Sequence, residues 1–234
     1  MRMLILLCLI FNFLFAFSQP KISPADLHFL QKAEDTLDVL SNDILDNINV
    51  ANRLRSDSML TKTLVRALKL PHSFYYPFDS LQTITIVYPA DSSFRIFTWQ
   101  FEINEQNYRQ KGAIQMNTTD GSLVLFPLFD VSEYTETPND SVRSIKNWIG
   151  AIYYKIIQKE SNGKRFYTLL GYDENGFRST KKWMEVLTFD ANNQPILGGN
   201  YFAFERNNDA WQWQPGYKRF NIEFRKEGRA KLNY

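Results

Sequence analysis

The acidic turn Asp173-Glu174-Asn175-Gly176 groups side-chain oxygens that could do chemistry. Such a group could hold a metal ion or supply a catalytic carboxylate. A calcium loop of the EF-hand type, however, needs oxygen ligands at alternate positions and an acid well after the glycine. The acidic residues of this turn are too close together in the sequence to form such a loop. The pattern instead favours a hairpin in which Asp173 bonds the local backbone and Gly176 takes a positive φ.

Glu185 is the carboxylate with the most unusual neighbours, because Trp183 and Met184 precede it and Val186 and Leu187 follow it. Burial of a carboxyl group raises its pKa, which would suit a general acid in sugar hydrolysis. The competing interpretation is an outward-facing residue that pairs with a nearby Lys or Arg, and the pattern favours it. A glycosidase also needs a second carboxylate, which no spacing identifies.

Three aromatic residues, Trp211, Trp213 and Tyr217, are the candidate ligand-binding residues. They occupy a polar stretch after Asp209 that lacks strand alternation, so a loop is predicted there. Large rings are costly to expose to water. The rings would therefore stack on a sugar or peptide ligand, or fold back over the sheet as a lid, and the second interpretation is favoured.

Several reaction classes lack the residues that they require. The two histidines, His28 and His72, do not share a metal-ligand spacing, and the sequence has no H-E-x-x-H, G-x-S-x-G or phosphate-loop motif. Its single cysteine, Cys8, cannot form an internal disulfide. We therefore predict neither a metal site nor a cofactor.

The first residues have the pattern of a secretory signal peptide. Arg2 is followed by the apolar run Met3 to Phe15, and Ala16-Phe17-Ser18 places small residues where a signal peptidase cleaves. Cleavage after Ser18 would leave a mature chain with no thiol and no transmembrane segment. The sequence thus predicts a signal peptide at 1–18 and an exported protein, either periplasmic or extracellular.

The charge of the chain is nearly balanced, with 27 Lys and Arg against 25 Asp and Glu. Nucleic-acid binding needs concentrated basic charge, so no nucleic-acid partner is predicted. For an exported protein, the expected partners are envelope polysaccharide, peptidoglycan or another envelope protein.

Residues 19–72 form the predicted helical segment. No Gly or Pro occurs between Ala25 and Leu70, and apolar residues recur there at helical spacing. Ser23 and Pro24 suit the N-cap and the first position of one helix, and a second helix is predicted to begin near Ser56.

Residues 73–234 alternate between short apolar runs and turn signals, which predicts an antiparallel β region. The run 148–158 is apolar on both faces, so this strand is expected to lie between two layers, with the helices as the second layer. The predicted fold is α+β, with one domain over 19–234. In it an N-terminal helical pair packs on a twisted, mainly antiparallel sheet or on a partly closed barrel.

The stretches Tyr167–Asp173, Lys181–Phe189 and Pro195–Gly198 have a strand-turn-strand pattern. This pattern resembles signal-peptide-bearing envelope proteins of unknown function from Gram-negative bacteria. The resemblance covers the C-terminal half, from Trp148 onward. It implies export across an inner membrane, and it carries over no activity, cofactor or site residue.

The sequence therefore favours an exported, non-enzymatic protein that binds a ligand or has a structural role in the cell envelope. The alternative is a hydrolase that acts on envelope sugar or peptide. An enzyme should bring two acids, or an acid and a histidine, together in a cleft. A binding protein should show an aromatic or apolar groove without them.

Overall fold

A computed structural model describes residues 22–104, 107–206, 210–213 and 216–233, and the side chains of 204–206 and 210–213 are outside that description. The predicted signal peptide at 1–18 therefore lies outside the described residues. The described chain contains a pair of helices and sheets of four, six and two strands.

The two helices are α1 (Pro24–Asp46) and α2 (Val50–Leu68). The predicted start of α1 is confirmed. Ser23 Oγ accepts a hydrogen bond from the backbone N–H of Asp26 at 3.1 Å, and proline occupies the first helical position. These two local signals are sufficient to begin a helix at this point.

The predicted start of the second helix near Ser56 is wrong. Asn49 caps α2 instead, because its Oδ1 accepts from the N–H of Ala51 at 2.8 Å. Ser56 lies inside α2, where its Oγ donates to Oδ2 of Asp43 on α1 at 2.5 Å. Its side chain therefore links the two helices and does not cap α2.

The four-stranded sheet consists of β1 (Thr85–Val87), β2 (Phe94–Asn104), β3 (Asn107–Met116) and β4 (Leu125–Phe129), in that order. The six-stranded sheet begins with β5 (Arg143–Ser144), β6 (Ile152–Ser161), β7 (Lys164–Asp173), β8 (Ser179–Phe189) and β9 (Pro195–Leu197). A two-stranded sheet follows, made of β10 (Ala203–Arg206) and β11 (Ala210–Trp213), and β12 (Arg219–Arg225) then returns to pair with β8.

The pairs between these strands are antiparallel, and the six-stranded sheet has the order β5-β9-β8-β7-β6 with β12 also beside β8. The four-stranded and six-stranded sheets are not closed into a barrel. The helical pair packs on an antiparallel sheet, so the α+β prediction is confirmed.

The strand between the layers is β2, and its alternate residues separate two cores. Phe97, Trp99 and Phe101 pack with the buried faces of both helices, whereas Phe94 and Ile96 pack with the six-stranded sheet. The expectation that 148–158 lies between the layers, next to the helices, is wrong. That segment supplies β6 at one edge of the six-stranded sheet, and the helices cover the other sheet.

Candidate functional site

A cleft of about 270 Å³ lies where the two sheets meet, and we term it the Asp173 cleft. Four parts of the chain line it: the facing ends of β2 and β3, the loop after β4, Ile149 just before β6, and the β7–β8 hairpin. The residues that matter below are Tyr108, Arg109, Asp130, Glu133, Tyr134, Asp173, Lys181 and Trp183.

The β7–β8 hairpin places three functional side chains on one face. Asp173 lies directly opposite Lys181, and Gly171 lies opposite Trp183. Residues opposite one another, or two apart on a strand, point to the same face of a sheet. Asp173, Lys181 and Trp183 therefore project together into the cleft that they line.

The predicted turn role of Asp173 is confirmed, but it is only part of what this residue does. Oδ1 of Asp173 accepts the backbone N–H of Asn175 at 2.9 Å, and both Asn175 and Gly176 have positive φ angles, 48° and 86°. These are the features of the expected hairpin. The side chain is nevertheless 6% exposed and lines the cleft, which a simple turn does not require.

Burial dominates the electrostatics of Asp173. It raises the pKa from 3.8 to about 6, although the Asn175 N–H, the Lys181 ammonium and the Gln110 amide each lower it. Gln110 donates through Nε2 to the same Oδ1 atom at 2.6 Å. Within the described part of the chain, Oδ2 of Asp173 accepts no hydrogen bond. This oxygen is therefore available to another molecule in the cleft.

Asp130, at the end of β4, is the second carboxylate of the cleft. Its Oδ1 accepts the N–H groups of Ser132 at 2.8 Å and Gly150 at 3.1 Å, and its Oδ2 accepts the N–H of Gln110 at 3.1 Å. Gln110 thus binds Asp130 through its backbone and Asp173 through its side chain. Both oxygens of Asp130 hold backbone together, so its main role is structural.

Trp183 contributes a hydrogen-bond donor that has no acceptor among the described residues. The residue is 2% exposed, and no described protein group accepts from its Nε1–H. Leaving a buried N–H unpaired costs roughly 1–3 kcal/mol, so most proteins avoid it. In a residue that lines a cleft, such a group is suited to donate to a ligand.

Glu185 does not line the Asp173 cleft. It is 2% exposed, accepts from the hydroxyl of Tyr153 and forms an ion pair with Nε of Arg219 at 3.2 Å. Arg219 also donates to the backbone carbonyl of Ser141 at 3.0 Å. The pairing with a basic residue agrees with one sequence interpretation, but the pair is buried and ties β12 to β8.

The three aromatic candidates have different positions. The loop prediction is wrong for residues 210–213, because Trp211 and Trp213 belong to β11, opposite Glu205 and Ala203 of β10. The side chains of Trp211 and Trp213 lie outside the described residues. Tyr217 is half exposed and does not line the Asp173 cleft.

A second concavity, the outer groove, lies on the face of the six-stranded sheet that points away from the four-stranded sheet. It has a volume of about 320 Å³ and a mainly apolar lining. The apolar residues of this lining are Ile157, Phe166, Leu170, Met184, Val186, Tyr201, Phe202 and Leu232. The described chain thus has both features that were expected to separate an enzyme from a binding protein: converging acids and an apolar groove.

Comparison of the chain with protein-family models, with curated proteins and with solved structures finds no match. Neither described helix has the combination of length and hydropathy needed to span a membrane. Among the described residues, no three His, Cys, Asp or Glu side chains are grouped as metal ligands would be. The site must therefore be interpreted from its own geometry.

Proposed function

We propose that the protein is an exported, non-enzymatic binding protein of the cell envelope, and that the Asp173 cleft is its ligand site. One observation carries the proposal: among the described residues, the buried Nε1–H of Trp183 has no acceptor, and Oδ2 of Asp173, which also lines the cleft, accepts no hydrogen bond. An unpaired buried N–H costs stability unless a ligand uses it. The proposed export follows from the signal-peptide pattern at 1–18.

The cleft suits a polar ligand of modest size. Its lining carries charges of both signs, with the acids Asp130, Glu133 and Asp173 and the bases Arg109 and Lys181. Tyr134, 83% exposed at the rim, offers an aromatic surface. The expected partners are therefore envelope polysaccharide or peptidoglycan, with a segment of an envelope protein as the remaining option.

A hydrolase is the second candidate, and one observation favours it. Asp130 and Asp173 both bond to Gln110 in one cleft, and a carboxyl with a pKa of about 6 suits a general acid. Asp130, however, uses both oxygens to hold three backbone N–H groups. It is poorly placed to activate water or to attack a substrate, which is why binding is the better conclusion.

Co-sedimentation with peptidoglycan and retention on immobilised envelope polysaccharide test the proposal. Tyr134→Ser should weaken retention about tenfold if the cleft is the site, with little change in thermal stability because the ring is exposed. Tyr217→Ser is the matched control, since this tyrosine is also surface-exposed but lies outside the cleft. A loss confined to Tyr217→Ser would move the site to the aromatic segment, and release of soluble fragments would favour the hydrolase.

A further inference from the structure

The unpaired groups of Trp183 and Asp173 restrict which chemical groups of a ligand can bind in the cleft. Trp183 offers only a donor, because indole nitrogen has no acceptor function. Asp173, when ionised, offers only an acceptor, Oδ2. Both side chains project from the same face of the β7–β8 hairpin, two rungs apart along the ladder. A single ligand group that contacts both must accept from Trp183 and donate to Asp173.

We infer that the Asp173 cleft recognises a saccharide, one hydroxyl of which accepts from Nε1–H of Trp183 and donates to Oδ2 of Asp173. This inference rests on the proposed function. A hydroxyl oxygen carries a donor and two acceptor sites on one atom and has no charge. It therefore satisfies both groups at once.

Charged ligand groups fit the same place less well. A carboxylate could accept from Trp183 but would face Asp173 and Asp130. An ammonium could donate to Asp173 but would leave the indole N–H unpaired and would lie near Lys181. A hydroxyl group avoids both repulsion between like charges and an unpaired indole N–H.

The rest of the cleft agrees with a sugar ring. Tyr134 places an exposed aromatic ring at the rim, and the apolar face of a sugar can pack against such a ring. The volume of about 270 Å³ is close to the lower end of ligand pockets, roughly 300 Å³. The cleft would therefore hold one ring of a glycan rather than a long segment.

The test follows the indole N–H of Trp183, together with the backbone amides of the other cleft residues, in the NMR spectrum of uniformly ¹⁵N-labelled protein. Trp183→Phe, checked by thermal melting, identifies the resonance by its disappearance. The protein is then titrated separately with N-acetylglucosamine, glucose and an alanyl tripeptide that lacks hydroxyl groups. A sugar should shift the Trp183 resonance, and Asp173→Asn should weaken that sugar about tenfold, because a hydrogen bond to a charged group is lost.

The outcomes separate the inference from the proposed function. A sugar that shifts other resonances of the cleft, but neither shifts Trp183 nor responds to Asp173→Asn, overturns the inference and leaves a binding site. The same holds if only the alanyl tripeptide binds in the cleft. If no probe perturbs the cleft and Tyr134→Ser does not alter retention on peptidoglycan or polysaccharide, both the inference and the proposed function are wrong.

Discussion

Nε2 of Gln110 donates to Oδ1 of Asp173 over 2.6 Å, and this bond joins the four-stranded sheet to the six-stranded sheet beside the cleft. The backbone N–H of Gln110 also binds Asp130. One buried residue therefore sets the positions of both carboxylates. The geometry of the proposed site therefore depends on contact between the two sheets.

Asp173→Asn should stabilise the protein at pH 8 relative to the unchanged chain. The pKa of Asp173 is raised to about 6 in the folded protein, above 3.8, so its ionisation opposes folding. The resulting loss of folding stability develops as pH rises from about 4 to about 6 and is complete at higher pH. The difference between the two pKa values corresponds to roughly 3 kcal/mol at most. Asparagine avoids this loss and can still accept from Asn175 and Gln110.

Urea unfolding of both proteins at pH 4 and pH 8 measures this effect. The difference between them should grow with pH. Asp190→Asn is the matched control, because Asp190 accepts from Asn192 and Gln194 in another hairpin turn, outside the cleft. A stability difference for Asp173→Asn that does not change between the two pH values would contradict the raised pKa.

Gly150→Ala should destabilise the protein by about 1–3 kcal/mol through steric overlap. A Cβ at this position would lie 2.6 Å from Cβ of Gln110 and 2.8 Å from Cγ of Asp130. Both neighbours are held by the hydrogen bonds that form the cleft. Gly216→Ala is the control, since its Cβ would meet no atom of the described residues within 4 Å and should change stability by less than about 0.5 kcal/mol. Equal effects of the two changes in thermal melts would argue against a tightly closed junction.

Glu185→Gln should cost about 3–5 kcal/mol, because it leaves the buried guanidinium of Arg219 without its counter-charge. Glutamine can still accept from the hydroxyl of Tyr153. We expect a lower melting temperature and unchanged ligand affinity in the folded protein. Loss of a hydrolytic activity with unchanged stability would instead restore Glu185 as a catalytic acid.

The N-terminus of the exported protein should be at or near Gln19. The apolar run at 3–15 and the small residues at 16 and 18 suit cleavage after Ser18. Mass spectrometry of protein recovered from outside the cytoplasm measures this directly. Recovery of the exported chain with Met1 intact would contradict the signal-peptide interpretation.

Local signals were sufficient for some elements and insufficient for others. Ser23-Pro24 and Asn175-Gly176 act through their own backbone geometry, so the start of α1 and the β7–β8 turn could be predicted. The layer order could not, because β2 and β6 carry similar apolar patterns and only tertiary contacts determine which one the helices cover.

The candidate site is mostly a product of long-range contact. Gln110 and Asp173 are 63 residues apart along the chain, and no spacing rule joins them. The turn motif marks Asp173 in the sequence, but nothing in that motif indicates that its side chain is buried. Trp183 and Glu185 point to the same face of β8, yet only Trp183 reaches the cleft. Sequence periodicity predicts which side chains share a face of β8. Packing of the four-stranded sheet against that face determines which of them line the cleft.

The most direct test of the ligand site compares the affinity of Asp173→Asn, Asp190→Asn and the unchanged protein for soluble peptidoglycan fragments and envelope polysaccharide at pH 8, by isothermal titration calorimetry. We predict that Asp173→Asn binds about tenfold more weakly while being at least as stable, and that Asp190→Asn binds as the unchanged protein does. If Asp173→Asn binds the same ligand with undiminished affinity, the Asp173 cleft is not the binding site.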